Sequence, residues 1–93
     1  MFDSKLVGGE VVLVGRFDAS QVEKAKEVFS HVVGPGRVNL TELEYISSAG
    51  LGVLLMTQKR LNEVGYGLTL VNMNKHIRDI FHFAGFDLIF QIE

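Results

Sequence analysis

The amino-acid sequence predicts an α/β domain: a mixed β-sheet with an N-terminal β-hairpin, β-α crossovers and helices mainly on one face. Two observations carry this prediction. Gly8 and Gly9 separate two extended apolar segments, as in a tight hairpin turn. Strand-like and helix-like segments then alternate, which is typical of right-handed crossovers in a largely parallel sheet. A length of 93 residues suits a single domain, predicted over residues 1–93.

The hairpin and the first helix have clear local signals. Residues 11–14 form a continuous apolar run rich in valine, which is typical of a strand buried on both faces. Asp18 or Ser20 can cap the next helix, and Glu23 follows Ser20 at the spacing of a capping box. Apolar residues then recur at helical spacing over 22–33. A Gly-Pro-Gly sequence follows at 34–36 and predicts the end of the helix.

The second half of the chain continues the alternation. Two further extended segments are predicted as strands, at 37–40 and 68–71. Residues 88–92 are predicted as a strand or a last helical turn, with the strand favoured. Residues 41–46 are predicted as a connector to a second helix, whose apolar positions recur between 51 and 61. A third helix is predicted to begin at Asn72 or Asn74 and to end at Gly85.

Composition and charge exclude several classes of function. Lys and Arg number 9 and Asp and Glu number 11, so the net charge is −2, and the chain has no basic block. It lacks the charge pattern of a nucleic-acid binder and the polybasic patch of a membrane-surface protein. It has no cysteine for disulfides, thiolate metal sites or thiol nucleophiles. The apolar run at 51–56 is far shorter than the roughly 20 residues of a membrane-spanning helix. We expect a cytoplasmic protein without membrane insertion.

No set of residues predicts catalysis or the binding of a metal or cofactor. His31, His76 and His82 are spread along the chain, whereas a zinc site needs three or four converging ligands. No serine lies in a Gly-x-Ser-x-Gly nucleophile elbow. Gly50 and Gly52 do not form a nucleotide-binding fingerprint. We therefore expect a non-enzymatic protein with no catalytic residues, no cofactor and no metal.

The most informative segment is 45–55, where a loop enters the second predicted helix. Ser47 and Ser48 stand at this entry, and either hydroxyl can cap the helix. Gly50 and Gly52 follow in the first turn, where the lack of side chains lets another backbone approach. One interpretation is capping and close packing on the sheet. The other is an exposed, flat docking surface with hydroxyls that a kinase can phosphorylate at the positive end of the helix dipole.

In this context the chain resembles the STAS domain, specifically the stand-alone anti-sigma factor antagonists. The resemblance spans nearly the whole chain and is carried by residues 15–19, 38–40, 46–54, 77–81 and 84–86. It implies a STAS-type sheet and a partner-switching role. The unmodified antagonist binds an anti-sigma factor, usually a GHKL-type serine kinase, and so frees a sigma factor. The kinase phosphorylates a serine at the start of the second helix, and a PP2C-type phosphatase restores the antagonist.

The sequence departs from the family motif at the phosphorylation site. The motif commonly reads Asp-Ser-Ser/Thr-Gly, and the residue before the glycine is the usual acceptor. Here that residue is Ala49, which has no hydroxyl, and Ser47 replaces the aspartate. Ser48 is therefore the first choice of phosphorylation site and Ser47 the second. The remaining alternative is a protein that binds its partner without being phosphorylated.

The residues that the resemblance assigns to partner binding surround these serines: Asp18, Ser47, Ser48, Ala49, Gly50, Leu51 and Gly52. Asp18 is expected to lie near the serine loop and to help shape the binding surface, besides its possible role as a helix cap. An alternative function is that of a STAS subunit of another assembly. Such an assembly would be a lipid-transport ATPase with a small STAS partner, or a stress-signalling complex with a STAS scaffold.

Overall fold

The computed structural model describes residues 2–93, which form a five-stranded sheet, three α-helices and a short 3₁₀ turn. The strands are β1 Phe2–Val7, β2 Glu10–Phe17, β3 Gly36–Ile46, β4 Leu68–Val71 and β5 Gln91–Ile92. The helices are α1 Val22–Phe29, α2 Ser48–Asn62 and α3 Lys75–Phe83, and the 3₁₀ turn is Ala19–Gln21. The strands lie in the order β1-β2-β3-β4-β5, with β1 antiparallel to β2 and all other pairs parallel.

The helices pack against one face of this sheet. Along β2, Val11 and Leu13 are fully buried, whereas Val12 and Val14, which alternate with them, are only half-buried. The helices contribute large apolar side chains to the same core: Phe29, Leu54, Leu61, Ile77 and Phe81. The expectation of a strand buried on both faces was therefore wrong, because the second face of β2 has no covering layer among residues 2–93.

Helix α1 is shorter than its apolar pattern predicts. It ends at Phe29, and Val33, which the pattern includes, is 75% exposed. Val32 still packs into the core, but from a turn rather than from the helix. The Arg60 guanidinium donates to the carbonyl oxygens of Phe29 and Val32, both at 2.9 Å. These bonds satisfy carbonyls that a longer helix would have bonded internally.

Strand β3 is longer than predicted, and this difference shapes the candidate site. Residues 41–46 continue the strand instead of forming a connector, and their pairing with β2 runs on to Phe17 opposite Ile46. Two register irregularities interrupt this pairing. They place Leu40 and Leu43, three residues apart, both in the core. A bulge of this kind breaks the alternation of apolar and polar residues that identifies a strand in a sequence.

The last two elements follow the prediction in part. Asn74 caps α3, because its side-chain oxygen accepts the Ile77 N–H at 2.9 Å. The final strand, expected at 88–92, is reduced to Gln91–Ile92. Leu88, at 94% exposed, lies outside it. The turn that precedes β5 thus takes up residues that were assigned to the strand.

Candidate functional site

The ends of β2 and β3 bring together two predicted site residues that are distant in sequence. The strands are parallel neighbours, and Phe17 lies opposite Ile46 at their ends. The next residues are Asp18 and Ser47, and the Ser47 N–H donates to the Phe17 carbonyl at 2.9 Å. The carboxyl edge of parallel strands is where α/β sheets commonly hold functional side chains. The structure thus positions Asp18 beside the serine loop, as expected.

Ser47 and Ser48 have different surroundings. Ser47 is the N-cap of α2: its backbone is extended and its hydroxyl oxygen accepts the Gly50 N–H at 3.2 Å. This cap satisfies one of the free amide groups of the first turn. Ser47 is half-buried, whereas Ser48 is exposed, and its hydroxyl makes no hydrogen bond to the described residues. Of the two hydroxyls, that of Ser48 is the more accessible to another protein.

The first turn of α2 lies very close to the sheet. Gly50 is buried, and a Cβ at this position would lie 2.9 Å from Ile46 Cγ1 and 3.1 Å from Phe17 Cγ. Leu51 is in the core and only 5% exposed. The expectation that all of residues 47–52 form an exposed docking surface therefore needs correction. Gly50 and Leu51 lie beneath that surface, because close packing of α2 on the sheet requires both to face inward.

The accessible part of the site contains fewer residues than the predicted partner-binding set. Ala49 and Gly52 are partly exposed, and apart from the neighbouring helix backbone no atom of the described residues lies within 4 Å of where a Cβ on Gly52 would be. We refer below to the exposed and half-exposed site residues together as the serine surface. It consists of Asp18, Ser47, Ser48, Ala49 and Gly52. These residues offer little side-chain bulk, so another backbone can approach closely.

Asp18 is a fixed negative charge on the serine surface. Its carboxylate accepts hydrogen bonds from the Ser20 N–H at 3.0 Å and the Ser20 hydroxyl at 2.7 Å. Gln21 Oε1 accepts the Asp18 N–H at 2.9 Å and completes a capping box. The expected partner Glu23 takes no part, because the box closes on the 3₁₀ turn. The bonds from Ser20 lower the pKa of Asp18, and the charge of Arg16 lowers it further.

Two residues that the sequence analysis missed adjoin the serine surface. Arg16 and Tyr45 are register partners one step before the strand ends, and the Arg16 guanidinium carbon lies 4.5 Å from the centre of the Tyr45 ring. They face away from the core, since their neighbours Phe17 and Ile46 are buried. The sequence contained a signal for this pair: each residue stands two positions before a predicted site residue. That signal depends on the register between β2 and β3.

The described residues contain no cluster of side chains suited to hold a metal ion. Among residues 2–93, no cluster of three or more His, Cys, Asp or Glu side chains could hold a metal ion. His31 contacts Glu27 and His82 contacts Asp87, each pair on the surface. Over the same range, the helices fall short of the length and apolar character that a bilayer crossing needs.

Comparison with known protein families shows which family the chain belongs to. The family model described as "Mlab, STAS domain" matches residues 1–91. The chain belongs to the STAS domain family. It is 39% identical over 74 residues to a Bordetella bronchiseptica protein named as an anti-sigma factor antagonist, BtrV. That match covers 80% of this chain but only 58% of the Bordetella protein. The chain is also 30% identical over 88 residues to the anti-sigma-B factor antagonist of Listeria monocytogenes, covering 90% of this chain and 77% of the relative.

Solved structures of the same kind confirm the STAS-type fold. An anti-sigma factor antagonist of Thermotoga maritima matches with a TM-score of 0.80 at 22% identity, over 99% of this chain and 85% of that one. The antagonist SpoIIAA in its unphosphorylated form matches with a TM-score of 0.72 at 22% identity, over 100% and 87% of the two chains. The phosphorylated Bacillus SpoIIAA gives 0.70 at 24% identity, over 100% and 91%. The Bordetella and Listeria relatives are named for a regulatory role and not for an enzymatic reaction, in agreement with the prediction of a non-enzymatic STAS protein.

Proposed function

We propose that this STAS protein is an anti-sigma factor antagonist that binds an anti-sigma factor through the serine surface and so frees a sigma factor. The observation that carries the proposal is the pairing of the β2 and β3 ends, which sets an ionised Asp18 beside an open helix N-terminus. The names of the Bordetella and Listeria relatives support the same role. The proposed partner is a GHKL-type serine kinase, and the proposed location is the cytoplasm, where sigma factors act.

Phosphorylation of Ser48 is the proposed switch. Ser48 is exposed in the first turn of a helix of 15 residues, where the helix dipole tolerates a phosphate. The phosphate adds roughly −1.5 to −2 charges. Enclosing that charge unpaired against a partner costs several kcal/mol, and each 1.4 kcal/mol is about tenfold in affinity. Phosphorylation would therefore release the partner, and a PP2C-type phosphatase would restore binding.

Ser47 is the second choice for this modification. Its hydroxyl oxygen already accepts the Gly50 N–H as the cap of α2. A phosphoryl group on that oxygen would disturb the cap and would have to fit a half-buried position. Ser48 carries neither constraint, which is the reason for ranking it first.

The alternative function is that of a STAS subunit in another assembly, either a lipid-transport ATPase or a stress-signalling scaffold. One observation favours it: Ala49 occupies the position of the usual phosphate acceptor. A protein that is never phosphorylated would hold its partner constitutively, as a subunit does. In that case the serine surface would still bind a protein, but no kinase would modify it.

Binding to a purified anti-sigma factor kinase from the same genome tests the proposal. We expect the unmodified protein to bind in at least one nucleotide state and mass spectrometry to locate phosphate on Ser48 after incubation with ATP. Ser48→Asp should weaken binding by about tenfold or more. Asn62→Asp, which adds one negative charge at the other end of α2, should bind like the wild type.

Two outcomes would count against this account. If no such kinase forms a complex with the wild-type protein in either nucleotide state, the antagonist role is wrong. If Ser47→Asp disrupts the complex while Ser48→Asp does not, the switch lies on Ser47. A stable complex with the kinase that is never phosphorylated would keep the antagonist role and remove the phosphorylation switch.

A further inference from the structure

We propose that Arg16 and Tyr45 form an anchor that extends the serine surface onto the uncovered face of the sheet and binds a carboxylate side chain of the partner protein. This inference rests on the proposed function, because it concerns the same complex. It adds two residues to the partner surface and assigns the chemistry of the group that one of them recognises.

The Arg16–Tyr45 pair is continuous with the serine surface. Arg16 and Tyr45 are opposed across β2 and β3, directly before the buried pair formed by Phe17 and Ile46. The strands then lead into Asp18 and into the serine loop. A partner that covers this edge of the sheet would therefore meet the Arg–Tyr pair at the border between the edge and the uncovered face.

The guanidinium of Arg16 has unused hydrogen-bonding capacity. Two other arginines bind oxygen atoms within the chain: Arg37 contacts Glu10 and Glu93, and Arg60 binds two main-chain carbonyls. The Arg16 guanidinium has no ion pair or hydrogen bond to residues 2–93, although it is exposed at the sheet surface. Arg78 is also unpaired over that range, but it is not stacked on an aromatic ring.

Tyr45 helps to hold Arg16 in place, because the guanidinium carbon lies over its ring. A guanidinium stacked on an aromatic ring keeps its N–H donors free at the edges of its plane. These donors match a carboxylate, which accepts two parallel hydrogen bonds from one guanidinium. The stacking also limits the conformational freedom that Arg16 loses on binding. Arginine and tyrosine are the residue types that most often dominate the binding energy of an interface.

The charges around the anchor select a protein partner over a polyanion. Asp18 is an ionised neighbour, and Glu42 and Glu44 are exposed on the same segment of β3. A nucleic acid would be repelled by these carboxylates. A folded partner can instead place one acidic side chain over Arg16 and basic side chains over its acidic neighbours, which gives complementary charge across the interface.

Titration of the anti-sigma factor kinase against variants of the antagonist tests the anchor. We expect Arg16→Ala to weaken binding by about 10- to 100-fold, because the partner carboxylate would lose its charged hydrogen-bond donors. Arg16→Lys should recover only part of this loss, since lysine cannot form the bidentate contact. Tyr45→Leu should weaken binding less than Arg16→Ala. Arg37→Ala is the control, because Arg37 lies on the same face but is paired within the chain. Its binding affinity should stay within about twofold of the wild type, as expected of a surface charge outside the interface.

Thermal unfolding of each variant first establishes that it is folded. Binding of Arg16→Ala within twofold of wild type, together with loss of binding by Ser48→Asp, would overturn the anchor and leave the proposed function intact. Absence of binding by the wild type would remove both. Charge reversal tests whether the partner group is a carboxylate. The binding lost in Arg16→Glu should be restored when the matching acidic residue of the kinase is changed to lysine. If a screen of the kinase's acidic surface residues yields no rescue, the recognised group is not a carboxylate.

Discussion

The two ends of helix α2 differ in what their polar side chains do. At the N-terminal end, Ser47 uses its hydroxyl to cap the helix, and Ser48 directs its own hydroxyl to solvent. Ala49 and Gly50 in that turn are small, and Leu51 faces the core. The Ser47 N–H joins this region to β2 through the Phe17 carbonyl, whereas the cap is a bond within the helix itself.

The C-terminal half of α2 is joined to its surroundings by hydrogen bonds. Gln58 is buried; its Oε1 accepts the Leu68 N–H at 2.6 Å and its Nε2 donates to the Ile89 carbonyl at 2.9 Å. Arg60, two residues further on, donates to the carbonyl of Phe29 at the end of α1 and to that of Val32 in the turn after it. The same helix therefore stabilises the fold at one end and leaves polar groups available to a partner at the other. Substitutions at the two ends should separate stability from binding.

The largest effect on stability is expected at Gln58. In Gln58→Leu the buried Leu68 N–H loses its acceptor and the part-buried Ile89 carbonyl loses its donor, so the free energy of unfolding should fall by about 2–4 kcal/mol. Urea denaturation measures this change. Gln91→Leu, an exposed position on β5, is the control and should stay within about 0.5 kcal/mol. If Gln58→Leu weakened partner binding but not stability, the division between the two ends of α2 would be wrong.

A matched pair of glycines provides the next test. The Cβ of Gly50→Ala would collide with Ile46 and Phe17, so unfolding should become easier by about 1–2 kcal/mol. Gly52→Ala meets open space and should increase stability by up to about 1 kcal/mol, because alanine favours the helix. Thermal or urea unfolding of both variants measures the difference. Equal stability of the two would show that α2 does not lie as close to the sheet as described.

The two serines should differ by a smaller amount. Ser47→Ala removes the cap of α2 and should cost about 1 kcal/mol. Ser48→Ala removes an exposed hydroxyl without a partner and should stay within about 0.5 kcal/mol. The comparison of their unfolding free energies sharpens the assignment of capping to one serine and availability to the other. A larger loss for Ser48→Ala would reverse it.

The smallest effect concerns the exposed pair formed by His82 of α3 and Asp87 in the loop that follows it. His82 Nδ1 lies 2.8 Å from Asp87 Oδ2, and this contact raises the pKa of His82 and lowers the pKa of Asp87. The pair therefore stabilises the fold between the lowered pKa of Asp87 and the raised pKa of His82. Its contribution is lost as the pH rises through the latter. In Asp87→Asn, the pKa of His82 should return toward its ordinary value of about 6.5, and an NMR titration measures it. An unchanged pKa would contradict the contact.

The fold was largely predictable because local signals and chain order agree. The hairpin at Gly8 and Gly9, the order of elements and the cap at Asn74 all follow from residues close in sequence. The extension of β3 was not predictable, because its bulges break the periodicity on which strand prediction depends. The shortened α1 was missed for a related reason: Val32 is buried without being helical.

The candidate site was predictable as a segment but not as a surface. The position of Ser47 at a helix entry and its proximity to Asp18 were expected. The burial of Gly50 and Leu51 depends on how closely α2 packs on the sheet, which a sequence does not state. The pairing of Arg16 with Tyr45 depends on a register set by two irregularities in the strands. Residues that meet across the sheet were therefore the ones that sequence reasoning missed.

The most direct test of the account is a map of the partner contact on the antagonist itself. Amide signals of the ¹⁵N-labelled protein can be followed by NMR while the anti-sigma factor kinase is added. We expect the perturbed signals to cluster at residues 18, 47–49 and 52 and at the Arg16–Tyr45 pair, with residues 58–62 of α2 unaffected. Perturbations confined to the C-terminal half of α2 or to α3, with the serine surface unchanged, would contradict the central claim.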